Sequence, residues 1–336
     1  MAIVSPLVLV TGFGGFLGSA ICRQLIDRGF RVRGVARQRY PQLESLGVSA
    51  HCGSITDATV CDRAVQGVDA IIHTAALAGV WGAKADYEAI NVIATDRLLD
   101  AAHRHGVSAF VHTSSPSVTF DGSPQCGIDE SVPYPAQWLC DYPRTKAISE
   151  QSVLKANQTG RFSSCALRPH LIWGVGDPHL IPRVIERCKS GRLRCVGDGR
   201  NLIDTVHVEN AAAAHVLALE RMLAHDANAN GRAYFITDGQ PVACWDWITE
   251  LLRCAGLRPP TRTISVRRAY QIGAVLEGVY RTLRIGNEPP MTRFVALQLG
   301  VDHYFDITAA KERLGYAPAN DREARLRELE ASLSRV

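Results

Sequence analysis

Residues 7–27 read LVLVTGFGGFLGSAICRQLID, a short apolar run that leads through a glycine-rich turn into a helical pattern. The run over 7–11 predicts a buried strand. The apolar spacing that follows predicts one face of a helix over 16–28, formed by Leu17, Ile21, Leu25 and Ile26. A strand that enters a helix through such a turn is the first unit of a nucleotide-binding parallel sheet.

Three glycines recur at every third position of the turn, as Gly12, Gly15 and Gly18. One permits the tight turn, one lets the backbone approach a pyrophosphate, and one lets helix and strand pack closely. The helix N-terminus offers free N–H groups and a positive dipole end to the phosphates. We therefore predict a dinucleotide-binding loop, which Phe16 and Leu17 complete at the start of the helix.

The alternation of strand and helix continues through the first half of the chain. Helices are predicted over 86–105 and 142–157. Strands are predicted over 7–11, 31–36, 48–52, 70–73, 109–113 and 162–167. Because this rhythm requires parallel strands with right-handed crossovers, we predict an α/β fold with a Rossmann-type doubly wound sheet.

The pattern becomes irregular beyond Pro169, where glycine and proline interrupt short segments. We predict a dinucleotide-binding domain over residues 1–173 and a smaller substrate-binding lobe over 174–336. The segment 204–220 reads as a short strand and an alanine-rich helix that return to the first domain. The two parts are therefore predicted to be interleaved.

The predicted second strand ends in VARQR at 35–39, with no acidic residue between Asp27 and Glu44. An NAD site would place an acidic residue here, against the ribose hydroxyls. Arg37 and Arg39 are candidates for binding a 2′-phosphate, because the planar guanidinium donates two hydrogen bonds at once. This favours NADP(H) over NAD(H); the alternative is that both arginines are ordinary solvated surface.

Residues 141–146 read DYPRTK, which places Tyr142 and Lys146 on one helical face. Pro143 suits only the first turn of a helix, so Tyr142 lies near a helix N-terminus, with Asp141 as a candidate cap. The dipole and the Lys146 ammonium are expected to lower the pKa of Tyr142 from its ordinary value of about 10. We predict that Tyr142 exchanges a proton with a ketone or alcohol oxygen.

The predicted fifth strand runs into TSSPSV at 113–118, which places hydroxyl groups at the carboxyl end of a parallel strand. Such folds bind their ligands at this edge. Ser115 is predicted to hydrogen-bond the substrate oxygen, and Thr113 is predicted on the cofactor side. The alternative for Ser115 is a turn-forming role before Pro116.

Composition excludes several other classes of protein. The net charge of +4, without a basic run, does not favour nucleic-acid binding. No stretch of about 18 uncharged apolar residues predicts a membrane span. Ten cysteines without a CxxC pair predict reduced thiols in a cytoplasmic protein, with no metal site.

Residues 264–284 carry a stripe of apolar residues at helical spacing, flanked by arginines. Three interpretations stay open: a helix packed on the second lobe, a lid over an apolar tunnel, or a helix lying on a membrane surface. Trp81 and Trp173 are candidates for lining a pocket for a small hydrophobic substrate.

Beyond single motifs, the chain resembles the extended short-chain dehydrogenases/reductases, in the branch of the 3β-hydroxysteroid dehydrogenases. The motifs that carry the resemblance occur in family order, as TGFGGFLG at 11–18, Asp57, HTAA at 73–76, NVIAT at 91–95, TSSPSV at 113–118, YPRTK at 142–146, LRPHLIWG at 167–174 and DTVHVENAAAAH at 204–215. Two departures are Ala94, where a glycine is usual, and Thr119-Phe120, where many relatives have Tyr-Gly.

The resemblance implies roles for the residues at matching positions. Ser115, Tyr142 and Lys146 become the catalytic triad, and Lys146 also contacts the cofactor. The other implied contacts are Asp57 with the adenine, Ala75 and Ala76 along the cofactor, Asn91 near the active site, and Pro169 and His170 near the nicotinamide.

The resemblance also implies a reaction. It is greatest to the bacterial reductases of long-chain olefin biosynthesis, through AGVWG at 78–82, LRPHLIWGVGDPHLIPR at 167–183 and EPPMTRF at 288–294, and implies reduction of a 2-alkyl-3-keto acid with NADPH. The alternatives are a 3β-hydroxysteroid or sterol-4-carboxylate dehydrogenase, a nucleotide-sugar epimerase or dehydratase, and a non-catalytic NADP sensor. A homodimer formed through helices beside the sheet is a further expectation.

Overall fold

A computed structural model describes residues 5–158 and 160–334. The strands within these residues are β1 Leu7–Thr11, β2 Arg31–Ala36, β3 Ser49–Cys52, β4 Ala70–His73, β5 Ala109–Thr113, β6 Gln125–Ile128, β7 Ser163–Pro169, β8 Ile172–Trp173, β9 Cys195–Val196, β10 Leu202–Ile203, β11 Val206–His207, β12 Arg232–Ile236, β13 Val242–Ala243, β14 Thr263–Ile264 and β15 His303–Phe305.

Helices alternate with these strands through the first half of the chain and dominate the second half. The α-helices in the described ranges are α1 Phe16–Asp27, α2 Pro41–Glu44, α3 Ala58–Val65, α4 Lys84–Tyr87, α5 Ala94–Arg104, α6 Asp141–Ala156, α7 Leu180–Lys189, α8 Val208–Leu223, α9 Cys244–Cys254, α10 Val266–Thr282, α11 Arg293–Gln298 and α12 Arg322–Leu333. A 3₁₀ turn spans Pro116–Thr119, and π-helical turns span Glu88–Ile93 and Ala310–Leu314.

Seven of the described strands form the central sheet, in the order β12-β7-β5-β4-β1-β2-β3. Each neighbouring pair is parallel, as the alternation of strand and helix predicted. The strand order reverses between β1 and β4, which is where a doubly wound sheet opens a crevice for ligands. The predicted Rossmann-type α/β fold is confirmed.

Successive side chains of a strand point to opposite sides of the sheet. Apolar side chains therefore project from both faces, and helices cover both. Val8 and Val10 join the apolar core beneath α1 and α8. Leu9, between them, joins the opposite core beneath α3 and α5. The residues that extend from the strand ends are therefore held on a frame packed from both sides.

The chain returns to the central sheet twice after Trp173. The helix α8 packs against α1, in the segment where the sequence predicted a return. The strand β12, at the sheet edge beside β7, is a second return that the sequence pattern did not reveal. Its five residues carry no helical or turn signal of their own, and pairing with the buried strand β7 decides their place.

Most of the remaining elements after Trp173 gather around a third apolar core, whereas Phe305 of β15 and the turn Ala310–Leu314 join the first core. The third core contains Trp173, Trp245, Trp247 and residues of α7, α9 and α12. A small sheet in the order β13-β10-β15-β6 lies in this part of the structure. Among the described residues, no helix combines the length and the apolar character that crossing a bilayer requires.

Candidate active site

The glycine loop after β1 brings two strand ends into close contact. Gly12 has a φ of 66°, a left-handed conformation that glycine adopts without strain. A Cβ on Gly12 would lie 3.1 Å from the backbone of Ala75, in the loop after β4. A Cβ on Gly18 would lie 2.3 Å from the Gly12 carbonyl oxygen. Both positions therefore exclude a side chain, which keeps the backbone accessible to a ligand.

Helix α1 begins at Phe16 without a side-chain cap or an acidic residue in its first turn. Gly15 precedes it and donates its N–H to the Gly12 carbonyl oxygen at 2.9 Å. The next amide groups, including those of Leu17 and Gly18, begin the helix and face the loop as free donors. This cradle of bare backbone and positive helix dipole fits the pyrophosphate of a dinucleotide.

The two arginines after β2 have different surroundings. Arg39 forms an ion pair with Glu44, whereas Arg37 forms none within the described part of the chain. Both side chains are exposed. Because Glu44 already engages Arg39, Arg37 is the guanidinium that stays available to a 2′-phosphate at this strand end.

Asp57, predicted to contact adenine, is the N-cap of α3. One carboxylate oxygen accepts hydrogen bonds from the N–H groups of Thr59, at 2.8 Å, and Val60, at 3.4 Å. These bonds lower the pKa of Asp57. Capping uses one of the two carboxylate oxygens of Asp57. The predicted contact of Asp57 with adenine stays a prediction.

Asn91 joins the loop after β4 to helix α6. Its amide exchanges hydrogen bonds with the backbone of Leu77, at 2.8 and 3.2 Å, and donates to the Thr145 hydroxyl at 3.1 Å. Asn91 is buried and lies in the π-helical turn before α5, the kind of irregularity that often occurs at functional sites. It therefore positions the residue next to Lys146 as well as the loop that carries Ala75 and Ala76.

The hydroxyl groups after β5 form a short chain of contacts. The Ser115 hydroxyl lies 2.8 Å from that of Ser117 and caps the following 3₁₀ turn. Ser115 thus has the turn-forming role as well as a place at the site, and Ser117 is a neighbour that the sequence did not single out. The Thr113 hydroxyl lies 2.8 Å from Nε2 of His215, so α8 holds this side chain in place.

Tyr142 is the second residue of α6, and Pro143 lies in the first turn, as predicted. The predicted cap is wrong, because Cys140 occupies the N-cap and Asp141 is already helical. The Asp141 carboxylate binds Arg144 at 2.9 Å, and this ion pair replaces the expected capping contact.

The predicted lowering of the pKa of Tyr142 is also wrong. Burial raises the pKa of Tyr142, and a hydrogen bond with Ser115 offsets part of this rise. Burial also lowers the pKa of Lys146 to about 7, so the neighbouring ammonium is itself destabilised. The physical reason is that removal from water penalises the charged form of both groups.

Lys146 contacts His112 inside the protein, a partner that sequence reasoning missed. Its Nζ lies 3.1 Å from Nε2 of His112, which is fully buried on β5. The Ser149 hydroxyl lies 3.3 Å from the same nitrogen, and Nδ1 of His112 has no hydrogen-bond partner in the described structure. The available signal was a histidine in an apolar strand, two positions before the serines.

Pro169 ends β7, His170 follows it, and both are buried. The His170 Nε2 lies 2.7 Å from Nδ1 of His303 on β15. His303 donates from its own Nε2 to the Gln298 carbonyl oxygen, so its Nδ1 accepts from His170. His170 thereby links the central sheet to the second lobe, and its predicted contact with nicotinamide stays a prediction.

The two candidate pocket tryptophans lie in different environments. Trp173 is fully buried in the third apolar core, its ring 5.1 Å from that of His207. Trp81 is half-buried in the loop after β4, and its indole packs edge-on against Tyr280 of α10 at 6.2 Å. Trp173 is therefore core packing, and Trp81 is the one that lies in the same loop as Ala75 and Ala76.

The structure brings most predicted residues to the carboxyl edge of β1, β4 and β5. The loops of Gly12 and Ala75 touch, Ser115 is near enough to Tyr142 to influence its pKa, and Lys146 follows Tyr142 one turn later on α6. Arg37 and Asp57 stand at the ends of β2 and β3, along the same edge. A doubly wound sheet with this edge is typical of the short-chain dehydrogenases/reductases, which are nicotinamide-dependent oxidoreductases.

Comparison with known proteins narrows that class. The model of the 3-beta hydroxysteroid dehydrogenase/isomerase family matches residues 9–267. The chain belongs to this family and is an oxidoreductase.

Two curated relatives are similar over almost the whole chain. A 2-alkyl-3-oxoalkanoate reductase from Shewanella oneidensis is 44% identical, covering 96% of this chain and 85% of its own. A protein of the same name from Stenotrophomonas maltophilia is 44% identical, covering 97% and 98%. Among solved structures, MoeE5 in complex with UDP-glucose and NAD has a TM-score of 0.74 and 26% identity, with 98% of each chain covered.

Proposed function

We propose that the protein catalyses the NADPH-dependent reduction of a 2-alkyl-3-ketoalkanoic acid to the 2-alkyl-3-hydroxyalkanoic acid, a step of long-chain olefin biosynthesis. The observation that carries the proposal is that α6 places Tyr142 one turn before the buried Lys146, with Ser115 near enough to offset part of the raised pKa of Tyr142. The two relatives at 44% identity support the choice of substrate class.

The residues of this chain divide the work of the reaction. The chemistry that NADPH would supply, when bound, is a hydride for the carbonyl carbon. Tyr142 donates its phenolic proton to the carbonyl oxygen, so that the ketone becomes an alcohol and Tyr142 becomes a phenolate. Ser115 donates a hydrogen bond to the same oxygen, and the Lys146 ammonium stabilises the phenolate.

The same edge of the sheet holds the cofactor. The loop of Gly12, Gly15 and Gly18 binds the pyrophosphate through backbone N–H groups, and Arg37 binds the 2′-phosphate. Ala75 and Ala76 follow β4, on the other side of the glycine loop from Arg37, and would line the cofactor there, since their small side chains leave room for it. The NAD bound by MoeE5 supports a nicotinamide dinucleotide here.

A cofactor-absorbance assay on the purified protein tests the substrate. We expect NADP⁺ to be reduced in the presence of a synthetic 2-alkyl-3-hydroxy acid and not in the presence of a 3β-hydroxysteroid. The steroid is the sharpest competitor, because the family match carries its name. Turnover of the steroid alone would replace the proposed substrate with a sterol.

A further inference from the structure

Helix α10 is inverted relative to an ordinary helix of a soluble protein. Its buried positions are Ala269, Gly273 and Glu277. Gly273 packs on the start of α11, where a Cβ would lie 2.6 Å from the backbone of Thr292. Glu277 forms an ion pair with Arg293 at 2.8 Å. Small and charged residues therefore occupy the fully buried positions, where apolar residues are normally found, while Val266 and Tyr270 are only partly buried against the third core.

The opposite face of α10 and the residue after it expose an apolar stripe. We name it the outer stripe, and its members are Ile272, Val275, Val279 and Leu283. Each side chain is between 43% and 66% exposed. The spacing of three and four residues places them in one row about 16 Å long, at about 1.5 Å per residue. Single exposed apolar residues are ordinary, but a contiguous row marks a binding surface.

Exposed arginines stand at both ends of the outer stripe. Arg267 and Arg268 precede it, and Arg281 and Arg284 lie on either side of its last member, Leu283. The one acidic residue of the helix, Glu277, faces inward and is neutralised by Arg293. The surface around the stripe is therefore positively charged.

We propose that α10 lies on an anionic lipid bilayer, with the outer stripe in the acyl region and the arginines among the headgroups. An apolar row with basic flanks is the pattern of helices that bind in the membrane interface, and anionic lipid attracts each arginine. A second copy of the chain fits less well. A symmetric contact through this face would bring the arginine-flanked stripes of two copies together.

Helix α10 contacts the loop after β4 through Trp81. Tyr280 and Arg281 of α10 both pack on the Trp81 indole, Arg281 at 5.6 Å, and the indole N–H donates to the Ile285 carbonyl oxygen at 3.4 Å. Trp81 belongs to the loop that carries Ala75 and Ala76. Resting on the proposed function, we infer that an acid with long alkyl chains enters from the bilayer beside Trp81.

Vesicle co-sedimentation of the full chain tests the docking without any substrate. We expect binding to vesicles of phosphatidylglycerol and phosphatidylcholine, and about a hundredfold weaker binding to phosphatidylcholine alone, given the contribution of each arginine. Added salt should weaken the first interaction by screening. Equal sedimentation with and without vesicles would overturn the proposal, whatever the enzyme's substrate proves to be.

Two sets of substitutions test the apolar stripe and the arginines separately, and the first set changes the stripe. Val275→Glu with Leu283→Glu should weaken binding at least about tenfold, because it places carboxylates in the acyl region. Leu46→Glu, at an exposed leucine outside α10, is the matched control and should bind like the wild type. A double variant that binds as well as the control would overturn the role of the stripe.

The charge variant removes three arginines, as Arg267→Gln, Arg268→Gln and Arg284→Gln. Its control removes three exposed arginines elsewhere, at Arg23, Arg63 and Arg253. We expect only the first to lose binding to anionic vesicles, with thermal unfolding of both sets confirming a folded chain.

Oligomeric state separates the bilayer from a second copy. If the wild type ignored vesicles and formed a dimer that Val275→Glu dissolved, a second copy would cover the stripe and the proposal would be wrong.

Discussion

The catalytic edge of the sheet and helix α10 differ from the usual distribution of polar and apolar residues in opposite ways: the first buries polar groups, and the second exposes apolar ones. At the edge, Lys146 and His112 are buried polar groups 3.1 Å apart. On α10, apolar side chains face outward and Glu277 faces inward. Neither arrangement stabilises the fold. The first leaves polar groups in the protein interior, and the second leaves apolar side chains in water.

The difference teaches how the two departures are maintained. The buried pair is surrounded by a rigid sheet and by α6, and its cost is electrostatic, so it depends on pH. The backbone contact at Gly273 holds the outer stripe on the surface. Exposure of its apolar side chains to water is unfavourable, and this free-energy cost is removed when a partner covers the stripe. The predictions below separate these two kinds of cost.

The largest effect is expected for Tyr142→Phe. The variant keeps the ring and removes the proton donor, so kcat should fall about a thousandfold while the cofactor Kd stays unchanged. Cofactor absorbance and fluorescence titration measure the two quantities. Tyr304→Phe, outside the site, is the control, and more than a tenth of the wild-type kcat in Tyr142→Phe would remove this residue from proton transfer.

Lys146→Met tests the electrostatic cost. Burial lowers the pKa of Lys146 to about 7, so above that pH the folded chain has lost a proton that the unfolded chain keeps until about pH 10. The unfolded state binds more protons in this window, and the stability of the wild type therefore rises with pH across it.

The variant should accordingly unfold less readily at pH 6, by up to about 5 kcal/mol, and differ little from the wild type near pH 10. Urea unfolding at several pH values measures this. Lys155→Met, at an exposed lysine of the same helix, should show no such pH dependence. An equal change in the free energy of unfolding at pH 6 and pH 10 would mean that altered packing or hydrogen bonding, and not charge burial, explains the effect.

Gly18→Ala and Gly278→Ala compare the same substitution in the two regions. A Cβ at Gly18 meets the Gly12 carbonyl oxygen at 2.3 Å, so the loop must shift, and cofactor Kd should rise at least about tenfold. A Cβ at Gly278 on α10 meets no atom of the described structure within 4 Å. Gly278→Ala should therefore stabilise the helix by about 0.5–1 kcal/mol. Similar cofactor affinities in both variants would contradict the close-packed cradle.

The last prediction concerns cofactor choice. Arg37→Gln should reduce the ratio of kcat/KM for NADPH to that for NADH by about tenfold to a hundredfold, since it removes charge-assisted hydrogen bonds. Arg39→Gln should change this ratio much less, because Glu44 engages Arg39. A wild-type preference for NADH would end the assignment of Arg37.

Several features of the site were predictable because their causes are local. The loop of Gly12 and Gly18 follows from the backbone conformations that glycine allows, and Pro143 restricts Tyr142 to the start of a helix. The alternation of strands and helices also determined the parallel sheet, since right-handed crossovers leave few topologies open. The family resemblance, carried by motifs in order, was confirmed by the match over residues 9–267.

Other features depend on contacts between residues far apart in the chain. The place of β12, the contact of Lys146 with His112 and the raised pKa of Tyr142 arise from burial, which no local spacing encodes. The apolar row of α10 was visible as a pattern, but only the packing of Gly273 on α11 decided that the row faces outward. Periodicity determines that a helix has two faces, and the tertiary structure determines which of them is covered.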